Sequence, residues 1–133
     1  IIGNKNFMIR KMDFEDGLSG MLVDKVVYVN SNDSIERQRF TLAHEFTHFI
    51  LHGTKDHHYK PVRFRSNSIT SDEIKIEREA NVGAALILMP KENVFKQIGD
   101  KQSLSESDIS ELAKTFQVSL TAMNIRLSEL GFF

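Results

Sequence analysis

Two short apolar runs open the chain's regular pattern. Leu18 to Val23 and Val26 to Asn30 are rich in β-branched and large apolar residues and are separated by Asp24-Lys25, which predicts antiparallel strands joined by a tight turn. The pattern then lengthens: Phe40, Leu42, Ala43, Phe46, Phe49, Ile50 and Leu51 cover a helical path on nearly every side, as expected of a helix in the middle of a domain. Asn30-Ser31-Asn32-Asp33-Ser34 reads as the turn before that helix, Asp33-x-x-Glu36 as its start and Gly53 as its C-terminal cap. Thr70-x-x-Glu73 resembles a capping box at the start of a second helix, and Pro90, by disfavouring helical geometry at Met89, helps to end it. Further on, Ile109, Leu112, Ala113 and Phe116 share one helical face. Gln117-Val118-Ser119 interrupts, and Leu120, Met123, Leu127 and Leu130 mark another amphipathic helix stopping at Gly131. The class this predicts is α+β: a small antiparallel sheet, two long helices and a helical tail. Residues 1–90 are expected to form the core and 91–133 an extension packed on it, one compact domain in all.

Composition agrees with that size. With 133 residues, 41% of them hydrophobic, there is material for one core and not for two. Ten phenylalanines and no tryptophan make that core aromatic without indoles. The absence of cysteine excludes both a disulfide framework and a cysteine metal cluster. No apolar run is long enough for a bilayer and no signal peptide is apparent, so a cytoplasmic protein without membrane partners is expected.

Chemistry enters with His44-Glu45-Phe46-Thr47-His48, an H-E-x-x-H pattern inside the first predicted helix. At about 100° per residue the two histidines stand one turn apart on one face, so two imidazole nitrogens can grip one ion. Glu45 projects from the edge of that face, where it can reach a water on the metal. Zinc lowers the pKa of such a water to about 7, and a carboxylate beside it can take the proton. A scattered histidine pair is usually only a core or surface pair. Here the surrounding helix is apolar, and polar groups buried on it need a partner that a metal supplies to both rings at once. A zinc hydrolase with one Zn2+ ion is the first reading.

Two ligands leave tetrahedral zinc one protein ligand short of a catalytic site. His52 continues the series, but eight helical residues separate it from His44 by about 12 Å, against the roughly 3–4 Å between two nitrogens on one zinc. It is expected to partner the last-turn carbonyls, or to support the metal site from behind the ligands, instead. Glu77, four residues before Asn81 on the second helix, is the better third ligand, with Asn81 placed to hydrogen-bond the far nitrogen of one histidine. Small Ala80, Gly83 and Ala84 let the two helices approach. Glu79 remains the alternative ligand, and a solvated charged turn at Glu77-Arg78-Glu79 the bland one.

These two segments together, Arg39 to His52 and then E-x-E-A-N-x-x-A-A-x-x-L-M-P from Glu77 to Pro90, resemble the ImmA/IrrE family of bacterial metallopeptidases. The resemblance implies a zincin-like core with His44, His48 and Glu77 as zinc ligands and Glu45 as the catalytic residue. It further implies site-specific cleavage of a helix-turn-helix repressor or antitoxin, encoded beside the peptidase on a mobile element or in a stress or toxin-antitoxin locus, and a sheet edge that pairs with extended substrate. Gly83 departs from the pattern, standing where the family commonly has phenylalanine, and a gap beside the metal helix is expected there.

Residues 53–70 join the two metal-binding helices and carry Lys55, Lys60, Arg63 and Arg65 against Asp56. Tyr59, His57 and His58 are candidate hydrogen-bond donors to the oxyanion formed when water attacks a carbonyl, and Arg63 a candidate substrate contact. A solvated loop with a short edge strand at Val62–Arg65 is an equal reading. A second metal at His57-His58 has no acidic or cysteine partners flanking it in sequence.

Net charge is −1, which argues against a general polyanion partner. Leu112 to Ser119 resembles the first helix and turn of a helix-turn-helix. Residues 91–133 nevertheless hold five Lys or Arg against six Asp or Glu, and the would-be recognition helix offers only Arg126. Since phosphate attraction dominates affinity for DNA, packing or protein docking is the preferred role and nucleic acid is not an expected partner. Two rivals to the peptidase reading stay open: a docking module with a structural metal, and a DNA-binding regulator with a vestigial peptidase core.

Overall fold

Asp24 and Lys25 both adopt positive φ, 50° and 65°, the twist that closes a two-residue hairpin. In the computed structural model, which describes residues 8–14, 17–53, 57–59 and 70–133, that turn joins β2 (Gly20–Val23) to β3 (Val26–Asn30) in an antiparallel pair. Two further strands flank the hairpin, β1 (Met8–Met12) and β4 (His57–Tyr59), giving a sheet of order β1-β3-β2-β4. β4 runs antiparallel to β2, but β1 runs parallel to β3, with Met8 opposite Val26 and Met12 opposite Asn30. The sheet is therefore mixed rather than wholly antiparallel. All five residues of β1 are exposed, so it carries no alternation that a sequence pattern could reveal.

The long helix α1 (Ile35–His52) lies on one face of the sheet, where Leu22, Val27 and Val29 pack with Leu42, Phe46 and Phe49. Its cap is Ser34, whose Oγ accepts the Arg37 N–H at 3.1 Å, one residue later than the Asp33 expected. Gly53 closes it at φ 81°, as anticipated. At Gly20 a Cβ would stand 2.3 Å from Thr41 Cγ2, so only glycine lets α1 sit this close to β2. Helix α2 (Ser71–Leu88) begins where Thr70 Oγ1 accepts the Glu73 N–H at 3.2 Å and stops before Pro90. The possible strand at 62–65 and Arg63 lie outside the described residues.

The chain divides into two compact units, Ile1–Ala84 and Ala85–Phe133. In the second, α3 (Lys91–Ile98), α4 (Glu106–Phe116) and α5 (Leu120–Glu129) enclose a core that includes Met89, Val94, Ile98, Leu112, Met123 and Leu127. α4 and α5 follow the expected faces. α4 starts with a complete Ser105/Asp108 capping box, and Gln117, at φ 53°, reverses the chain before Ser119 caps α5. α3 had no sequence signal of its own, being only eight residues with two buried positions. Arg126 is 7% exposed and spends its guanidinium inside the unit, Nε donating to Met89 O at 2.9 Å. Among the described residues no helix is long and apolar enough to cross a membrane.

Candidate metal centre

The helical spacing of His44 and His48 turns both rings to the same side of α1, and their Nε2 atoms stand 3.2 Å apart. Opposite them, α2 delivers Glu77, whose Oε2 lies 2.8 Å from His44 Nε2 and 3.3 Å from His48 Nε2. These three atoms form a triangle with edges of 2.8, 3.2 and 3.3 Å. Donors bound to one zinc at about 2 Å lie roughly 3–3.5 Å apart, so a single small cation fits the triangle. Glu79, the alternative ligand, is turned away to His52 Nε2 at 3.4 Å and is half exposed.

The far nitrogens of both rings are held. His44 Nδ1 donates to Asn81 Oδ1 at 2.9 Å, and His48 Nδ1 shares a 3.0 Å hydrogen bond with His52 Nδ1. Asn81 and His52 are therefore the groups behind the two rings, a position from which such partners fix ring orientation in metal sites. Burial, the largest influence on His44, drives its pKa below the ordinary imidazole value even though Glu77 beside it pulls the other way. A neutral ring with its proton on Nδ1 leaves the Nε2 lone pair free for a metal. Burial disfavours charge on Glu77 too, but the His44, His48 and His57 rings gathered against its two oxygens overcome it and hold the carboxyl well below the usual carboxylate range.

Glu45 is fully buried, with Oε1 4.0 Å from His44 Nε2. Its Oε2 is buried with no hydrogen-bond partner among the described residues. A buried acceptor oxygen beside a triad of nitrogen and oxygen donors is what a site built for a cation and a water molecule would present, and the donor types are those zinc prefers.

His57 is the residue whose place the sequence did not foresee. Pairing of β4 with β2 sets His57 opposite Leu22 and Tyr59 opposite Gly20, so both point to the α1 side of the sheet while His58 faces away and is exposed. His57 Nδ1 contacts Glu45 Oε1 at 2.6 Å and its Nε2 contacts Glu77 Oε1. With His44, His48 and Glu77 it forms a group whose ligand atoms all lie within 4.8 Å of one another. Burial works against charge on this ring, yet hydrogen bonds and charge from Glu45 and Glu77 prevail and raise its pKa to about 9. The acidic partners missing from its flanking sequence come from α1 and α2. Tyr59 is buried with its ring 4.1 Å from that of His44, and its hydroxyl accepts from Arg37 Nη1 at 3.4 Å. Of the suggested substrate contacts, then, His57 enters the cluster, Tyr59 packs against it, and His58 lies on the far face.

Gly83 corrects an expectation. No gap accompanies it: a Cβ there would meet Thr47 Cγ2 at 2.4 Å and Oγ1 at 2.6 Å, so Thr47 of α1 already fills the space. The missing side chain lets α2 press on α1 six residues beyond Glu77. Gly83→Ala should cost about 1–3 kcal/mol from overpacking, against a gain near 1 kcal/mol in helix propensity. Urea unfolding should show a net loss of stability, and equal or greater stability would contradict the close contact. Asn81→Ala should leave unfolding nearly unchanged and weaken metal binding by about 10–100-fold, read by competition with a chromophoric chelator.

Comparison with known proteins places the chain in a family. The sequence profile of the IrrE N-terminal-like domain, a peptidase family, matches residues 4–128. The radiation response metalloprotease IrrE of Deinococcus deserti is 35% identical over 106 residues, covering 78% of this chain and 36% of that protein. Its namesake from Deinococcus radiodurans is 37% identical over 104 residues, covering 78% of this chain and 31% of that protein. The chain spans about a third of the length of these curated relatives. With a profile match over nearly its whole length, this chain belongs to the ImmA/IrrE family of metallopeptidases.

Proposed function

We propose that this domain is a zinc-dependent endopeptidase whose metal is held by His44, His48 and Glu77 and whose catalytic base is Glu45. The observation that carries this is the triangle of His44 Nε2, His48 Nε2 and Glu77 Oε2 with, beside it, a buried carboxylate oxygen of Glu45 that has no partner among the described residues. The names of the two relatives, both metalloproteases, support the same reaction class. Zinc bound there supplies Lewis acidity to a peptide carbonyl and to the attacking water.

The chain's own residues do the rest. Glu45 Oε2 removes a proton from water as its oxygen adds to the carbonyl carbon, then passes that proton to the departing amide nitrogen as the C–N bond breaks. Asn81 and His52 hold the two imidazoles so that their Nε2 atoms stay aimed at one point. The substrate class favoured by the resemblance is an intracellular regulatory protein such as a helix-turn-helix repressor. With Arg126 buried against Met89 O, the would-be recognition helix presents no free cation of its own to a phosphate backbone, which speaks against the DNA-reader alternative.

The test is incubation of the zinc-loaded protein with candidate repressors, encoded beside it, and mapping of new termini by mass spectrometry. Cleavage at one bond, abolished by a chelator and restored by zinc, is the expected result. Regulatory activity that persists with no new termini would favour a docking role with a structural metal.

A further inference from the structure

The three imidazoles of the cluster share one arrangement. In each, Nε2 meets the Glu77 carboxylate, Oε2 for His44 and His48 and Oε1 for His57, and Nδ1 meets another hydrogen-bond partner: Asn81 Oδ1 for His44, His52 Nδ1 for His48 and Glu45 Oε1 for His57. Histidines that bind a metal through one nitrogen characteristically engage a carboxylate, amide or similar group through the other, which fixes tautomer and ring plane. By that criterion His57 is outfitted as a ligand no less than the H-E-x-x-H pair. It also approaches from a different element, the sheet strand β4, so it can close the side of the triangle that α1 and α2 leave open.

Resting on the proposal that a metal sits in this site, we infer that His57 is a fourth protein donor, completing a closed sphere of three imidazoles and one carboxylate in the resting protein. Sites with four protein ligands are the structural kind, whereas catalytic zinc keeps one position for water or substrate. The same ring that fills the fourth position also engages Glu45 Oε1, so the group that occupies the water position is tied to the residue that would act on the water. Withdrawal of His57 opens that position beside Glu45. The resting domain is then latent, and whatever displaces His57 from the centre switches it on.

Zinc K-edge X-ray absorption on the zinc-loaded wild-type protein tests this without recourse to activity, because multiple scattering counts imidazole rings. Three imidazoles are expected in the wild type and two plus an additional light oxygen donor in His57→Ala, whose zinc affinity should fall about tenfold or more. Two imidazoles in a wild-type protein that holds stoichiometric zinc would overturn this inference and leave the proposed peptidase site standing. Failure of the wild type to bind zinc at all would overturn both. The count on the wild type decides the matter even where the variant folds poorly.

Discussion

Glu45→Gln should lower peptide-bond cleavage by about 10²–10⁴-fold while the protein keeps its fold and its metal. The size follows from what a positioned general base contributes, equivalent to about 3–5 kcal/mol of barrier. Glutamine has the shape of glutamate and retains an oxygen to accept from His57, so the contact at Oε1 survives. What is lost is the ability of the second oxygen to take a proton, and in the wild type that oxygen, Oε2, has no hydrogen-bond partner among the described residues. The measurement is single-turnover cleavage of the cognate protein, paired with metal analysis and thermal unfolding. A variant that cleaves within a few fold of wild type would remove Glu45 from the chemistry, and one that loses its metal would recast it as a site-building residue.

His48→Ala should have the largest effect on metal. If roughly 10–16 kcal/mol of zinc binding is shared among three protein ligands, one imidazole contributes about 3–5 kcal/mol, at least a hundredfold in affinity. His48 is buried, contacts both His44 and Glu77, and leaves His52 without its Nδ1 partner when removed. The consequence extends to stability. A ligand at a thousand times its dissociation constant stabilises the folded state by about 4 kcal/mol. Added zinc should therefore raise the unfolding temperature of the wild type by several degrees and that of the variant hardly at all. Equal zinc-induced shifts in the two proteins would mean that the ion binds elsewhere.

What was legible in the chain was whatever local spacing determines. His44, His48, Glu77 and Asn81 lie on two helices with four-residue intervals, and helical geometry alone puts each pair on one face. The hairpin was legible because β-branched runs flank a two-residue turn, and α4 and α5 because their apolar residues recur on one side. Non-local pairing was not. β1 is exposed along its whole length, and β4 is a three-residue His-His-Tyr strand identified only by its register with β2. His57 therefore read as a loop residue, although Glu45 and Glu77, 12 and 20 residues away, are its partners. Gly83 misled for a related reason: a missing side chain suggests empty space until the neighbour, Thr47, is known. The shift of the α1 cap from Asp33 to Ser34 is the one-residue error that end-of-helix patterns commonly carry.

The central claim is a single cation shared by His44, His48 and Glu77. Anomalous diffraction at the zinc edge, from crystals of protein whose bound metal has been quantified, tests it most directly. One zinc per chain, with its anomalous peak within bonding distance, about 2 Å, of His44 Nε2, His48 Nε2 and a Glu77 oxygen, is the expected result. Metal-free crystals grown from zinc-supplied protein, or a peak away from those three atoms, would contradict it.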